Sequence, residues 1–428
     1  MSNEVSELAE SQQGGGIFYG WWIVVAAIIG LALGYSVIAV MSFGTFIKPL
    51  EASYGWSRGE ISLGLTIIGI TAIVIFPYAG ALVDKYGVRK VLLPSTVLFG
   101  LVIGSMYFLT DSLWHLYGMC VLLPILGAGT APMTYSRLIV AWFNRKRGLA
   151  LGIGLAGVGL GTTLVPIIAS WFIEHYSWRE AYLALGALII LLAWPVANFV
   201  LRESPREMGL YPDGTDRATD TDSHPDTHVG FTAKEALKQK SFWLMAASFV
   251  IAGLCTSTIL AHLIPMMMDR GLTLQQAAGT FAYLGIALMI GRLVAGYLMD
   301  KFFAPYVVIG FLMGPVIGLA IFAMGATGTV AALCAALIGM AIGAEFDVMA
   351  YFTSRYFGPR SFGQIYGYNY SAFKVGSSIG PLIMGLSYDM LGRYDEVLWA
   401  LSATCIIGCV CVGLLGAYPQ LPVENDAA

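Results

Sequence analysis

Charge is what this sequence has least of. Lys and Arg number 23 and Asp and Glu 26 in 428 residues, 11% of the chain, where a soluble domain carries roughly 25%. That density cannot cover a water-facing surface, and it offers no basic patch for a nucleic acid. Cysteine is sparse as well: Cys120, Cys255, Cys334, Cys405, Cys409 and Cys411 lie in apolar stretches. None has metal-ligand spacing with a histidine, so they read as small packing residues, and neither metal nor cofactor is expected. No Gly-rich loop ending in Lys-Ser or Lys-Thr is present, which excludes an ATP-driven pump. No zinc-protease motif or nucleophile–base pair stands out, so an enzyme is not expected. Residues 1–16 are polar and acidic and do not read as a cleavable signal.

Long apolar runs are abundant. Hydrophobic residues make up 57% of the chain, and the mean hydropathy is +0.75. A bilayer-spanning helix needs about 20 apolar residues. Twelve stretches qualify: 21–47, 59–83, 90–110, 114–143, 148–173, 181–201, 241–267, 275–299, 305–325, 328–357, 362–388 and 396–417. The short alternating segments of a membrane barrel are missing. An all-α membrane protein with twelve transmembrane helices is therefore expected. With the N-terminus inside, the outer loops hold only Lys48, Arg58, Arg179, Arg270 and Arg393, and the inner loops hold many more, among them Lys85, Arg89, Lys90, Arg145, Lys146, Arg147 and Lys301. This asymmetry places both termini in the cytoplasm of an inner (plasma) membrane protein.

Residues 202–238 break the pattern with a polar run centred on Arg217–Asp226, which reads as a cytoplasmic linker. The expected organisation is a polar N-terminus over 1–16, a six-helix bundle over 17–201, this linker, a second bundle over 239–418 and a tail over 419–428. His224 and His228 fall in the linker and read as solvated. The bundles echo each other. Gly80-Ala81-Leu82-Val83-Asp84-Lys85 closes the second stretch and Gly296-Tyr297-Leu298-Met299-Asp300-Lys301 the eighth. Phe143 with Arg147 follows the fourth, as Phe357 with Arg360 follows the tenth. Duplicated six-helix units are the mark of transporters whose site lies near the midplane.

Gly80-x3-Asp84-x2-Gly87-x-Arg89-Lys90 resembles the loop signature of the major facilitator superfamily, and the resemblance covers about 20–420. It implies two pseudo-symmetric six-helix bundles, with Gly80, Asp84, Gly87, Arg89 and Lys90 forming a cytoplasmic latch. A narrower resemblance is to the monocarboxylate transporter and oxalate:formate antiporter branch. It rests on Phe18-Tyr19-Gly20-Trp21-Trp22, Phe46-x2-Pro49-Leu50, Gly55-Trp56-Ser57 and Trp142-Phe143-x3-Arg147-Gly148-Leu149-Ala150. That branch places an Arg in span eight, matched by Arg292. Its oxalate-type members add a Lys in span eleven, matched by Lys374. The resemblance implies that this pair binds substrate carboxylates. The chain departs from the oxalate type at Glu345 and Asp347 in span ten, where neutral residues are expected.

Three cations lie inside the apolar stretches: Arg137, Arg292 and Lys374. A charge in hydrocarbon needs a cavity and a partner. Lys374 is about 20 Å from the nearer end of its helix, too deep to snorkel, and shares its face with Tyr370, Ser377 and Ser378. Arg292 is about 12 Å deep, and its planar fork suits a carboxylate. Arg137 is about 7.5 Å from the interface; it can line a cavity with Thr130 and Thr134 or snorkel outward. Glu345 and Asp347 stand about 200° apart on their helix. Asp347 lies in a polar stripe with Tyr351 and Ser354, whereas Glu345 faces another helix. Either acid can couple transport to protons or hold a fixed ion pair. His262 can relay protons or pack by hydrogen bonding. The glycines Gly152, Gly154, Gly157, Gly159 and Gly161 read as close helix packing.

Together these features point to a secondary transporter of a small organic carboxylate, working by alternating access as a monomer in the bilayer. Arg292, Lys374, Tyr370 and Arg137 are the candidate substrate contacts, with Asp347, Glu345 or His262 for the proton. Symport of a monocarboxylate with a proton is the leading expectation. A dicarboxylate exchanger and a proton-driven drug exporter are the alternatives.

Overall fold

Lipid offers a backbone N–H or C=O no partner, so each apolar stretch must satisfy its own hydrogen bonds as a helix. The computed structural model describes residues 18–214 and 229–422. Residues 1–17, the linker centre over 215–228 with His224 and His228, and the tail over 423–428 lie outside the described residues. Among the described residues no strand forms. The twelve long helices are α1 (Gly20–Met41), α2 (Arg58–Tyr86), α3 (Val88–Phe108), α4 (Leu113–Trp142), α5 (Arg147–His175), α6 (Trp178–Val200), α7 (Lys240–Asp269), α8 (Leu274–Lys301), α9 (Ala304–Ala323), α10 (Gly328–Tyr356), α11 (Phe362–Leu391) and α12 (Asp395–Gly413). Eleven are long and apolar enough to cross a bilayer. The twelfth, α11, has 30 residues, and Gln364, Asn369 and Lys374 lower its hydropathy.

The chain divides into two compact units. The first holds α1–α6 and also Gly358–Gly367, the approach to α11 with its first turn. Glycine sets the spacing of α5 on α1: a Cβ at Gly157 or Gly161 would stand 2.4 or 2.2 Å from the carbonyl oxygens of Ile28 and Ala32. The glycine run of α5 is thus a helix-packing surface, as its position inside a span suggests. The start of the expected linker is laid onto this unit by two carboxylates. Glu203 accepts hydrogen bonds from the Val88 and Arg89 N–H groups at 3.0 and 2.7 Å, capping the N-terminus of α3. Asp213 accepts from the N–H groups of Asn144, Arg145 and Lys146 between α4 and α5. Such end groups have no partner within their own helices.

The second unit holds α7–α10, α11 from Tyr368 onward, and α12. Two glycine seams shape it. Cβ atoms at Gly339 and Gly343 of α10 would lie 2.2 and 2.1 Å from the Leu284 and Leu288 carbonyl oxygens of α8. Gly376 and Gly380 of α11 approach Val250 and Leu254 of α7 in the same way. Ile259, Leu263, Phe322, Ile338 and Leu398 form part of the apolar cluster that fills the space between the helices. Close backbone contact is what lets short polar side chains reach across these seams.

Candidate functional site

Three consecutive residues of α10 point to three different helices. Successive helical side chains are rotated by about 100°, so Glu345, Phe346 and Asp347 cannot share a face. Glu345 accepts a short hydrogen bond from the Thr256 hydroxyl of α7. Phe346 packs on α11, with its ring centroid 5.9 Å from Tyr370 and 5.4 Å from Phe373. Asp347 faces α8, where its Oδ2 lies 3.5 Å from Nε of Arg292.

The Arg292–Asp347 pair is sealed. Arg292 is 4% exposed and Asp347 0%. The arginine Nε–H donates to the Gly343 carbonyl at 3.0 Å, a contact that depends on the glycine seam at that residue. Neither Asp347 oxygen accepts a hydrogen bond from a described residue, so the pair is held by charge rather than by a bidentate fork. The rest of the Asp347 stripe also turns inward: the Tyr351 hydroxyl donates to Met299 O at 2.7 Å, and Ser354 to Tyr351 O at 2.7 Å.

Lys374 contrasts with Arg292. Among the described residues no carboxylate lies within ion-pair distance of its ammonium, which stands 5.6 Å from the centroid of the Tyr370 ring. An aromatic face attracts a cation without neutralising it. Ser377, one turn on, hydrogen-bonds Ser257 of α7, and Ser378 donates to the Lys374 carbonyl at 2.9 Å.

The signature residues assemble in the first unit. Gly80 lies against the backbone of Gly363, where a Cβ would stand 2.0 Å from the carbonyl oxygen. That approach lets Asp84 accept from the N–H groups of Gly363 and Gln364 at 2.9 and 2.8 Å, at the N-terminus of α11, where a helix dipole favours an anion. Arg137 completes the cluster with an ion pair to Asp84, an arrangement that neither the cavity lining nor the snorkelling read from sequence anticipates. Gly87 makes the α2–α3 turn with φ 89°, a conformation suited to glycine. Arg89 donates to Asn198 O at 2.9 Å, and Lys90 is exposed, so the cation facing Asp84 comes from α4 and not from the Arg89-Lys90 pair.

Residues 27–381 match the family described as Major Facilitator Superfamily. The chain belongs to this superfamily. It is 28% identical to monocarboxylate transporter 13 of Bos taurus, over 94% of this chain and 89% of that protein. Monocarboxylate transporter 11 of Mus musculus is 25% identical over the same shares, and the uncharacterised MFS-type transporter YhjX of Escherichia coli 23% identical, over 83% and 85%. The fold matches the superfamily's proton:xylose symporter XylE, solved with 6-bromo-6-deoxy-D-glucose, at a TM-score of 0.73 and 16% identity over 92% and 94% of the chains. It matches the fucose:proton symporter FucP of E. coli at 0.67 and 14%, over 93% and 98%. The protein is thus a multi-pass membrane transporter related to monocarboxylate transporters, and not an enzyme.

Within this superfamily member, His262 of α7 lies 3.1 Å from the Pro381 carbonyl of α11 through Nε2, with the Tyr394 ring 6.1 Å away; no acid of the α10 group is its partner. Thr256, Phe346 and Phe373 were not singled out from sequence. Thr256 carries no signal there, being one hydroxyl among several on α7. Phe346 does carry one: flanked by two intramembrane acids, helical rotation alone sends it to a third neighbour.

Proposed function

We propose that this protein carries a small organic monocarboxylate together with a proton across the plasma membrane, by alternating access, with both termini cytoplasmic. Lys374 and Arg292 receive the carboxylate, with Tyr370 beside the ammonium. The observation that carries this reading is the unequal pairing of the two deep cations: Arg292 faces Asp347 at 3.5 Å, while Lys374 has an aromatic ring beside it and no carboxylate partner among the described residues. One uncompensated positive charge suits an anion of one negative charge. Arg292 becomes a substrate ligand when Asp347 takes a proton and releases it. Glu345, held by a hydroxyl, can exchange its proton without breaking an ion pair. The relatives named monocarboxylate transporters support the substrate class.

The test is reconstitution into proteoliposomes. A thermal-shift screen against small acids selects the substrate, because a ligand of the native state raises its stability. Uptake of that acid should acidify the lumen, and Lys374→Gln and Arg292→Gln should each abolish it. Uptake that requires a carboxylate inside and moves no protons would replace this reading with anion exchange. Undiminished uptake by Lys374→Gln would remove it altogether.

A further inference from the structure

The core of the second unit contains a group that transport does not use. Cys255 of α7 and Cys405 of α12 are both buried, and their sulfurs lie 3.3 Å apart. Cys255 is also within 3.9 Å of the Leu401 carbonyl, which orients its thiol hydrogen toward that oxygen and leaves its sulfur facing Cys405. Both thiols line a cavity of about 30 Å³ whose walls are otherwise apolar except for Thr256 and Glu345. Glu345 also borders a neighbouring cavity of about 30 Å³. A void of this size admits about two water-sized molecules, which is also room for one hydrogen peroxide molecule.

A disulfide needs its sulfurs at about 2.05 Å. From 3.3 Å the two sulfurs have about 1.25 Å to close. Buried thiols are ordinarily inert because they lack a base to make the thiolate. Here a carboxylate shares their cavity.

We propose that Cys255 and Cys405 form a redox-active dithiol, served by Glu345, which a small uncharged peroxide oxidises to a disulfide that staples α7 to α12. In the first step one thiol gives its proton to the Glu345 carboxylate, and the thiolate sulfur attacks a peroxide oxygen. An S–O bond forms and the O–O bond breaks. The departing hydroxide takes the proton from Glu345 and leaves as water. In the second step the other thiol attacks the sulfenic sulfur: the S–S bond forms, the S–O bond breaks, and the hydroxyl leaves with the thiol proton as a second water. Two thiols and one peroxide thus give one disulfide and two waters, with sulfur oxidised and peroxide reduced. The link closes a loop of 150 positions and fixes α7, the helix whose Thr256 holds Glu345. It concerns the second unit alone and stands whatever the substrate is.

The full-length protein in lipid nanodiscs is treated with hydrogen peroxide, denatured, alkylated with N-ethylmaleimide and weighed. Of its six free cysteines, two should escape alkylation. Digestion should yield one peptide pair joined through Cys255 and Cys405, and dithiothreitol should restore full alkylation. Oxidation should raise the melting temperature reversibly. Cys405→Ala should lose the cross-link and leave Cys255 reactive to a sulfenic-acid probe. Glu345→Gln should slow cross-linking by at least about tenfold, while Lys374→Gln leaves its rate unchanged. Full alkylation of the peroxide-treated wild type, or a cross-link that uses Cys409 or joins two molecules, overturns the proposal. A Glu345→Gln protein that elutes as a single species and cross-links at the wild-type rate overturns the role of the carboxylate.

Discussion

Asp347→Asn is the most informative single substitution, because it removes one charge from a sealed pair and little volume. The Arg292–Asp347 separation of 3.5 Å corresponds to an attraction of about 5 kcal/mol at an effective dielectric constant of 20. Desolvation of both ions offsets much of that, so the pair's net contribution is small. Removing one partner is different, because a buried charge is then left uncompensated at a cost of about 3–5 kcal/mol. Asp347→Asn and Arg292→Gln should each destabilise the protein by roughly this amount. The double variant should recover most of the loss; with single costs of about 3–5 kcal/mol each and a double cost of about 1 kcal/mol, the coupling energy in a double-mutant cycle is about 5 kcal/mol or more. The assay is equilibrium unfolding in mixed micelles for all four proteins, followed by carboxylate uptake in liposomes. Under the proposed function the double variant is stable yet inactive, since the substrate has lost its guanidinium. Additive losses would refute the electrostatic reasoning. A double variant that transports at the wild-type rate would reduce the pair to a structural one.

Three further outcomes follow from the geometry. Gly343→Ala places a methyl group 2.1 Å from the Leu288 carbonyl oxygen, whereas Gly118→Ala meets nothing within 4 Å; the first should cost more than about 2 kcal/mol and the second almost nothing, as read by melting temperature and monodispersity. Asp84→Ala removes the acceptor of two amides and the partner of Arg137, so hydrogen exchange at Gly363 and Gln364 should accelerate, with a loss of about 3 kcal/mol that Asp84→Asn only partly avoids. Asp213→Ala should cost about 1–2 kcal/mol, as loss of a helix cap does, and raise exchange at Asn144, Arg145 and Lys146; unchanged exchange there would show that the strap is not held by this carboxylate.

The helices were legible because lipid imposes a length and a hydropathy on each crossing, and α11 qualifies by length despite its polar residues. The divergence of Glu345 and Asp347 was legible too, because two helical positions always differ by about 200°. Their partners were not. Thr256 is 89 positions from Glu345, and Arg137 is 53 from Asp84; neither distance leaves a periodic trace. Residues 202–214 read as solvated linker by composition, yet Glu203 and Asp213 cap backbone amides more than 60 positions away. Capping is recognisable in a sequence when cap and helix are adjacent, as in Ser57 and Glu60 of α2, and invisible when the cap arrives from another part of the chain.

The charges of the second unit can be followed through a transport cycle. Under the proposed function the charges that count are those of Arg292, Lys374, Asp347 and Glu345. With both acids ionised the sum is zero; when Asp347 takes a proton and releases Arg292, it is one positive. On that reading an arriving monocarboxylate would return the sum to zero, so the loaded unit with one proton and one anion would carry the same charge as the empty, deprotonated one. A bound dicarboxylate would leave one negative charge in hydrocarbon, at the cost that makes such charges rare. Under the proposed function this balance favours one negative charge on the substrate.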